Sequence, residues 1–473
     1  MHDPQTGLPP DESIGSAGFR DLTVAEEWAN FIESTHFRDL PVHVVEIVKA
    51  RILDCISTAI ESSHLTVPKV ALKFIGSQTG CATVFGKQST FPPIDAAFVN
   101  ATFINGSTHD DFLYKSHAGA VVIPAALAVA EEQRSSVEDL IVSIALGYEI
   151  VARTYLGGPM MLPKFRATGV AGAIGAAAAA GKLYKLDRTE LISALGCAAM
   201  FASGFGEGFK TGTMDVKLNV GWASRTGVSA ARLAACGASA TETAFEGESG
   251  FYLAHANSLS SVSGSTEGLG NRFLIEDTVY KELPICIFVQ TPVYLALQLM
   301  KKEKLNPMKI ESVSIRAPQE TLTNPGYKNT APFASPLKAR ISARFTTAAA
   351  LLGKPVETYE FYDDTENAQV LALAKKIQLL EPLPDQGGRV DLQVTCGGNI
   401  FEISGEEMET LFPTMEKVSA KFRNLVRRYP EDWSESVLDK VLHLEQLTNI
   451  SDLSIHLREF GSFQKGDDVE PNY

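Results

Sequence analysis

The 473-residue sequence has no paired cysteines: Cys55, Cys81, Cys197, Cys236, Cys286 and Cys396 stand apart, with no CxxC or CxxxxC spacing. That argues against a disulfide scaffold or a zinc ribbon and fits a reducing compartment, so a cytoplasmic location is expected. Basic charge is also short. The formal net charge is −14 and the sequence pI is near 5.2. Such a chain has no global electrostatic footprint for nucleic acid or an anionic membrane, and neither is expected as a partner. An anionic substrate would need a local basic pocket. No apolar run approaches the roughly 20 residues of a membrane span. The longest candidate, "VAGAIGAAAAAG" from Val170 to Gly181, is short and rich in small residues, as suits a buried helix that others approach closely. Histidine is scarce, with nine in all and no HxxxH or HExxH spacing. His109-Asp110 resembles the pair used by metal-dependent phosphohydrolases, and His64 lies upstream, but the rest of a metal set is missing. Neither a metal nor another cofactor is expected. The opening "MHDPQTGLPPDESIGSAGFRDL" has no apolar core and few arginines, so residues 1–20 read as a disordered lead-in rather than a targeting signal.

What is present is ordinary globular material, 45% hydrophobic and 21% charged. Apolar residues recur at three- and four-residue steps in Val45, Val48, Ile52 and Ile56, after a helix start at Pro41. Helical patterns return at 94–104, 118–134, 136–155, 167–184, 189–203 and 221–237, with Ser136 and Asp187 as N-caps. The texture changes after residue 260. "IESVSIRAP" alternates as a strand does, and "GGRVDLQVTCGGNIFEISG" reads as two strands around Gly397-Gly398. Helices are expected at 288–303 and 342–353, and again over 414–458. The expected fold is mainly α: a large all-helical domain plus a smaller α+β domain. Residues 21–269 form the first part of the helical domain, 270–408 the smaller domain, and 409–473 helices that complete the helical domain.

Four stretches carry chemistry. "NGSTHDDFLYKSHAGAVV" places His109, Asp110, Asp111 and His117 at the mouth of an apolar helix, whose free N–H groups favour anions. The plain alternative is a capping aspartate and a core histidine. "FKTGTMDVKLNVGWASRTG" holds Lys210, Lys217 and Arg225 among glycines; lysines there can bind or protonate an oxyanion, or merely face water. "KELPICIF" brings Lys281 and Cys286 near a helix start, although a lone cysteine is more often core than nucleophile. "TNPGYKNTAPFASPLKARISARF" is a Pro-rich loop with Tyr327, Asn329, Lys338, Arg340 and Arg344, suited to closing over a ligand or to standing in solvent.

The order and spacing of "DDFLYKSHAGAVVIPAALAVAE", "GYEIVAR", "FRATGVAGAIGAAAAAGKL", "KELPIC" and "GYKNTAPFAS" resemble the MmgE/PrpD family, over about residues 22–456. That family includes 2-methylcitrate dehydratases, cis-aconitate decarboxylases and iminodisuccinate epimerase. The resemblance implies a homodimer, no metal, and an active site in the cleft between helical domain and lid. It assigns catalytic roles to His117, Lys217, Tyr327 and Asp110. Asp111, Arg166, Lys210, Lys281, Cys286, Thr108 and His109 are then expected around the substrate.

The sequence also departs from the family pattern. Thr108 stands where an acid is common, Phe112 where a Thr or Tyr is common, and Ala118 where Pro often follows the histidine. Arg166 and Gln290 replace histidines. A pocket that loses histidine and acid while gaining arginine implies a shifted substrate. The expected activity is a cofactor-independent lyase on a di- or tricarboxylic acid, foremost dehydration of a 2-methylcitrate- or alkylcitrate-type substrate. Decarboxylation of a cis-aconitate-type acid is the first alternative. An epimerase or isomerase of a dicarboxylate, or a non-catalytic helical homodimer, comes after it.

Overall fold

The computed structural model describes residues 21–407 and 412–463. The expected lead-in, 1–20, and the boundary at 408/409 lie outside the described residues. The chain is mainly helical, with a small sheet in its C-terminal part.

Six long helices build the centre: α1 (Val42–Ser62), α2 (Pro93–Ile104), α3 (Ala118–Gln133), α4 (Val137–Gly157), α5 (Ala167–Leu183) and, after α6 (Arg188–Phe201), α7 (Asp215–Ala235). Pro41 begins α1, and the Ser136 hydroxyl and the Asp187 carboxylate cap α4 and α6 as expected. α5 is the hub, packing on α3, α4, α6 and α7. Its small residues make this possible. A Cβ on Gly175 would sit 2.3 Å from Val151 Cγ2 and 2.5 Å from the Gly147 carbonyl, so α4 and α5 cross almost backbone to backbone. α4 is long and apolar enough to cross a membrane, but 89% of its apolar window is buried inside the protein. α7 starts at Asp215, six residues before the expected 221, which puts Lys217 in its first turn.

Beyond residue 280 come α8 (Ile287–Glu303) and α9 (Ala343–Leu351). The two-residue strands β1 (Ala82–Thr83) and β2 (Thr90–Phe91) precede the main sheet. That sheet holds β3 (Ile310–Arg316), β4 (Ile377–Leu380), β5 (Arg389–Cys396) and β6 (Asn399–Glu406), in the order β4-β3-β5-β6. β3 and β4 are parallel and the other pairs antiparallel. Gly397 and Gly398 turn the β5–β6 hairpin with φ of 59° and 80°, a conformation that suits glycine. β5 alternates strictly between buried and half-buried positions, and its buried side faces α8.

Two hydrophobic cores result. One gathers Val24 to Tyr280 together with Val418 to Phe460 from the chain's end. There α10 (Met415–Val426) lies along α1. The second runs from Val279 to Cys396 and takes in Phe112 from the loop before α3. Residues 414–458, expected to be helical, contribute to three helices: α10, Glu431–Leu442 and Ser451–Phe463.

Candidate active site

The loop from Asn105 to His117 lies between the two cores and is fixed by cations from four directions. Lys217 Nζ donates to the Asn105 carbonyl at 2.6 Å. Arg340 donates to Ser107 O, Lys281 to Thr108 O and Lys421 to His109 O, at 2.8, 2.8 and 2.7 Å. Phe112 pairs with Val279 through backbone bonds of 2.9 and 3.0 Å. Thr108 takes φ of 64°, an uncommon conformation for a β-branched residue. Lys217 holds it there through Thr108 Oγ1 at 2.8 Å.

Asp110 sits at the centre with no exposed surface. Its Oδ2 accepts from Asn105 Nδ2 at 2.7 Å and lies 3.1 Å from His117 Nδ1, while Oδ1 is 4.0 Å from Lys281 Nζ. Burial would raise its pKa, but the His117 ring, Lys281 and Lys217 hold the carboxyl well below the usual range. His117 caps α3. Its Nδ1 faces two acceptors, Asp110 and the Asp111 carbonyl at 3.0 Å, so Nδ1 carries the proton and Nε2 keeps its lone pair. Burial lowers this histidine to about 4, against the pull of Asp110. Near neutral pH the ring is therefore an uncharged base held by a carboxylate.

The cations outnumber the acid. Arg166, Lys217 and Lys281 are buried near Asp110, and Arg340 is buried near Lys217. Burial pushes Lys217 and Lys281 below the usual lysine range despite the attraction of Asp110, and lowers Arg166 to about 10. Arg166 bonds the Val216 carbonyl, reaches Asn105 Oδ1 at 3.3 Å and stacks over Phe209. Lys217 spends two of its three N–H bonds on the loop, leaving one donor.

His117, Arg166, Lys217 and Lys281 open into one cavity of about 460 Å³; Asp110, expected as a catalytic residue, does not line it and reaches it only through His117, and Arg340 does not line it either. Of the residues expected around a substrate, the cavity is lined by Thr108, His117, Arg166, Lys210, Lys217, Lys281 and Cys286. Lys210 is an exposed rim residue, paired with Glu207 at 3.0 Å. Burial raises the Cys286 thiol, which makes it a poor nucleophile.

Three expectations are corrected. His109 turns away from the cavity and pairs with Glu61 at 3.0 Å, as part of the loop's rear support. Asp111 also faces rearward. Its two oxygens accept from Gly119 N at 3.0 Å and Tyr148 Oη at 2.6 Å, because the first turn of α3 presents a free N–H there. Burial pushes its pKa up to about 6. Tyr327 does not line the cavity; its ring is 1% exposed within the second core and its hydroxyl is buried without a partner. The sequence does not mark Asn105, which joins Arg166, Lys217 and Asp110, nor Lys115 and Thr168 on the cavity wall. These roles arise from tertiary neighbours, and no spacing announces them. Among the described residues, no three His, Cys, Asp or Glu side chains gather as a metal ion would require.

Sequence models of the MmgE/PrpD N-terminal and C-terminal domains match residues 26–260 and 283–385. The chain belongs to the MmgE/PrpD family. Its relatives include the cis-aconitate decarboxylase of Homo sapiens, 26% identical over 459 residues that cover 92% of this chain and 95% of the human protein. The cis-aconitate decarboxylase of Aspergillus terreus strain NIH 2624 is 25% identical, covering 88% and 92% of the two chains. A cis-aconitate decarboxylase-like protein of Aspergillus oryzae is 29% identical over about half of each chain. Lys281, which lines the cavity, lies in the stretch between the two matched segments.

Proposed function

We propose that this chain is a carboxy-lyase acting on a cis-aconitate-type acid. The observation that carries the reading is the pairing of His117 Nδ1 with Asp110 at 3.1 Å, on a cavity lined by Arg166, Lys217 and Lys281. Buried cations suit carboxylates, because charge-assisted contacts strengthen where water is excluded. In decarboxylation the C–C bond to a carboxylate breaks, its electron pair shifts across the adjacent double bond, and the far carbon takes a proton. Arg166 and the lysines stabilise the remaining carboxylates. His117 delivers the proton. Bound anionic charge beside the ring raises its pKa, so substrate itself loads the acid.

Decarboxylation is preferred over the dehydration expected from the sequence because the full-length relatives carry that name. One observation favours the dehydratase as second reading: an unliganded His117 that is neutral at pH 7 is ready to remove a proton next to a carboxylate. Proton NMR in D2O with cis-aconitate, citrate and 2-methylcitrate separates them. Loss of CO2 with deuterium in the product supports the lyase as proposed. A vinyl product that retains every carbon replaces it with the dehydratase. A homodimer remains part of the proposal, supported by the exposed apolar Met200, Phe201, Phe205 and Trp222.

A further inference from the structure

Lys115, a cation of the cavity wall, sits on the Asn105–His117 loop itself. It occupies a tight turn. Leu113 and Ser116 exchange backbone bonds of 2.7 and 2.8 Å, and Tyr114 and Lys115 between them take φ of 43° and 66°. A two-residue turn with positive φ at both centres ordinarily takes Asn-Gly, because larger side chains are strained there. Such strain persists only where the surroundings enforce it, and it collects at functional sites. Here Tyr114 is the enforced residue: its Oη donates to Asp277 at 2.5 Å, and Arg272 grips the same carboxylate at 2.8 and 2.6 Å. The turn aims Lys115 at the cavity, with Nζ 4.6 Å from the centre of the Phe288 ring. Phe288 meets Phe112 edge to face at 6.1 Å, and Phe112 meets the His117 ring at 5.5 Å, so two rings stand between Lys115 and the acid-base.

Across the cavity Lys115 pairs with Glu320, on the short helix Gln319–Thr323. The two partners are unequal: the Lys115 side chain is 21% exposed and that of Glu320 71%. An ion pair with one partner in water is weakly held, whereas a carboxylate inside the cavity meets the same ammonium with less water around it. We infer that Lys115 is a further substrate-binding residue: Glu320 holds its ammonium until one carboxylate of a tricarboxylic acid takes it over. This rests on the reading of the cavity as a carboxylate lyase site. Arg166, Lys217 and Lys281 meet the carboxylates nearest His117, and Lys115 meets the one beyond Phe112 and Phe288. Lys115 thus distinguishes three carboxylates from two, and Glu320 gives way because it returns to water.

Isothermal titration of the full chain with two unreactive acids, propane-1,2,3-tricarboxylate and pentanedioate, reads binding apart from turnover. Lys115→Gly removes the charge and suits the left-handed turn, so its melting temperature should equal or exceed that of wild type. Its affinity for the tricarboxylate should fall about 10- to 100-fold, the worth of one charge-assisted bond, against less than about threefold for pentanedioate. Glu320→Gln, an exposed change, should bind the tricarboxylate up to about fivefold more tightly, and that gain should vanish in the Lys115→Gly background. Unchanged tricarboxylate binding in Lys115→Gly overturns the inference, as do equal losses for both acids, which mark a diffuse charge effect. Weaker binding by Glu320→Gln overturns the handover. A parallel turnover assay with the matching unsaturated tricarboxylate separates the two readings. Lost tricarboxylate binding in Lys115→Gly, with no turnover by wild type, contradicts the lyase reading and supports the role of Lys115. Turnover whose KM is unchanged in Lys115→Gly overturns that role alone.

Discussion

His109 and His117 sit on one loop, eight positions apart, each beside a carboxylate, and the fold gives them opposite tasks. The front of the loop bears His117, which is backed by Asp110 and faces a cavity with Lys115, Arg166, Lys210, Lys217 and Lys281 on its wall. Its rear bears His109 against Glu61, and Asp111 against Tyr148 and the first turn of α3. The rear groups pair within the protein and fasten the loop to α1, α3 and α4. Each histidine keeps one ring nitrogen unbonded, but His109 Nε2 is sealed in the interior whereas His117 lines the cavity. Residue type alone does not separate reagent from fastening; access to the cavity does.

The comparison is broken most severely by His117→Gln. Its turnover should fall about 10²–10⁴-fold, with an unchanged circular dichroism spectrum, because a positioned acid-base is worth that much. Lys217→Met removes one charged contact to a carboxylate and should lower kcat/KM by roughly 10- to 100-fold, read from steady-state kinetics. Part of that loss comes from freeing Thr108 from its left-handed conformation.

A pH experiment sharpens the same contrast. His117 is depressed in the fold to about 4, from an ordinary 6.5. The unfolded chain therefore binds the extra proton between those values, and this group's contribution makes stability rise with pH from about 4 to 6.5. Asp111 is raised to about 6 from 3.8, so the folded chain holds the extra proton and its contribution falls with rising pH over 3.8–6. Front and rear oppose each other. Urea unfolding of wild type and His117→Gln isolates the first: their difference in unfolding free energy should grow in favour of wild type by up to about 3 kcal/mol between pH 4 and 6.5.

Gly119→Ala attacks the rear. A Cβ there would lie 2.5 Å from Tyr148 Oη and 2.7 Å from Asp111 Oδ2, so thermal stability should drop by about 1–3 kcal/mol. The smallest effect on turnover belongs to His109→Gln. Differential scanning calorimetry should show a loss of about 1 kcal/mol from the bond to Glu61, while kcat stays within about threefold of wild type.

Much of this architecture was legible beforehand. Three- and four-residue periodicity placed the helices from α1 to α9, and the paired glycines placed the β5–β6 hairpin, because these signals are local. The polar stretch before α3 was legible as a site for a similar reason: charge at the mouth of an apolar helix needs an explanation. Its division into front and rear was not. That division depends on positive φ at Thr108, Tyr114 and Lys115, and on carbonyl bonds from Lys217, Lys281, Arg340 and Lys421, all distant in sequence. Tyr327 shows the opposite failure. Family resemblance put it over the substrate, whereas its ring fills the second core.

The account stands most directly on one measurement: CO2 release from a carboxyl-labelled cis-aconitate-type acid by wild type, His117→Gln and His109→Gln, side by side. The account predicts release by wild type, near-wild-type release by His109→Gln and release at least 10²-fold slower by His117→Gln. Equal rates for the two variants, or a larger loss in His109→Gln, would contradict it.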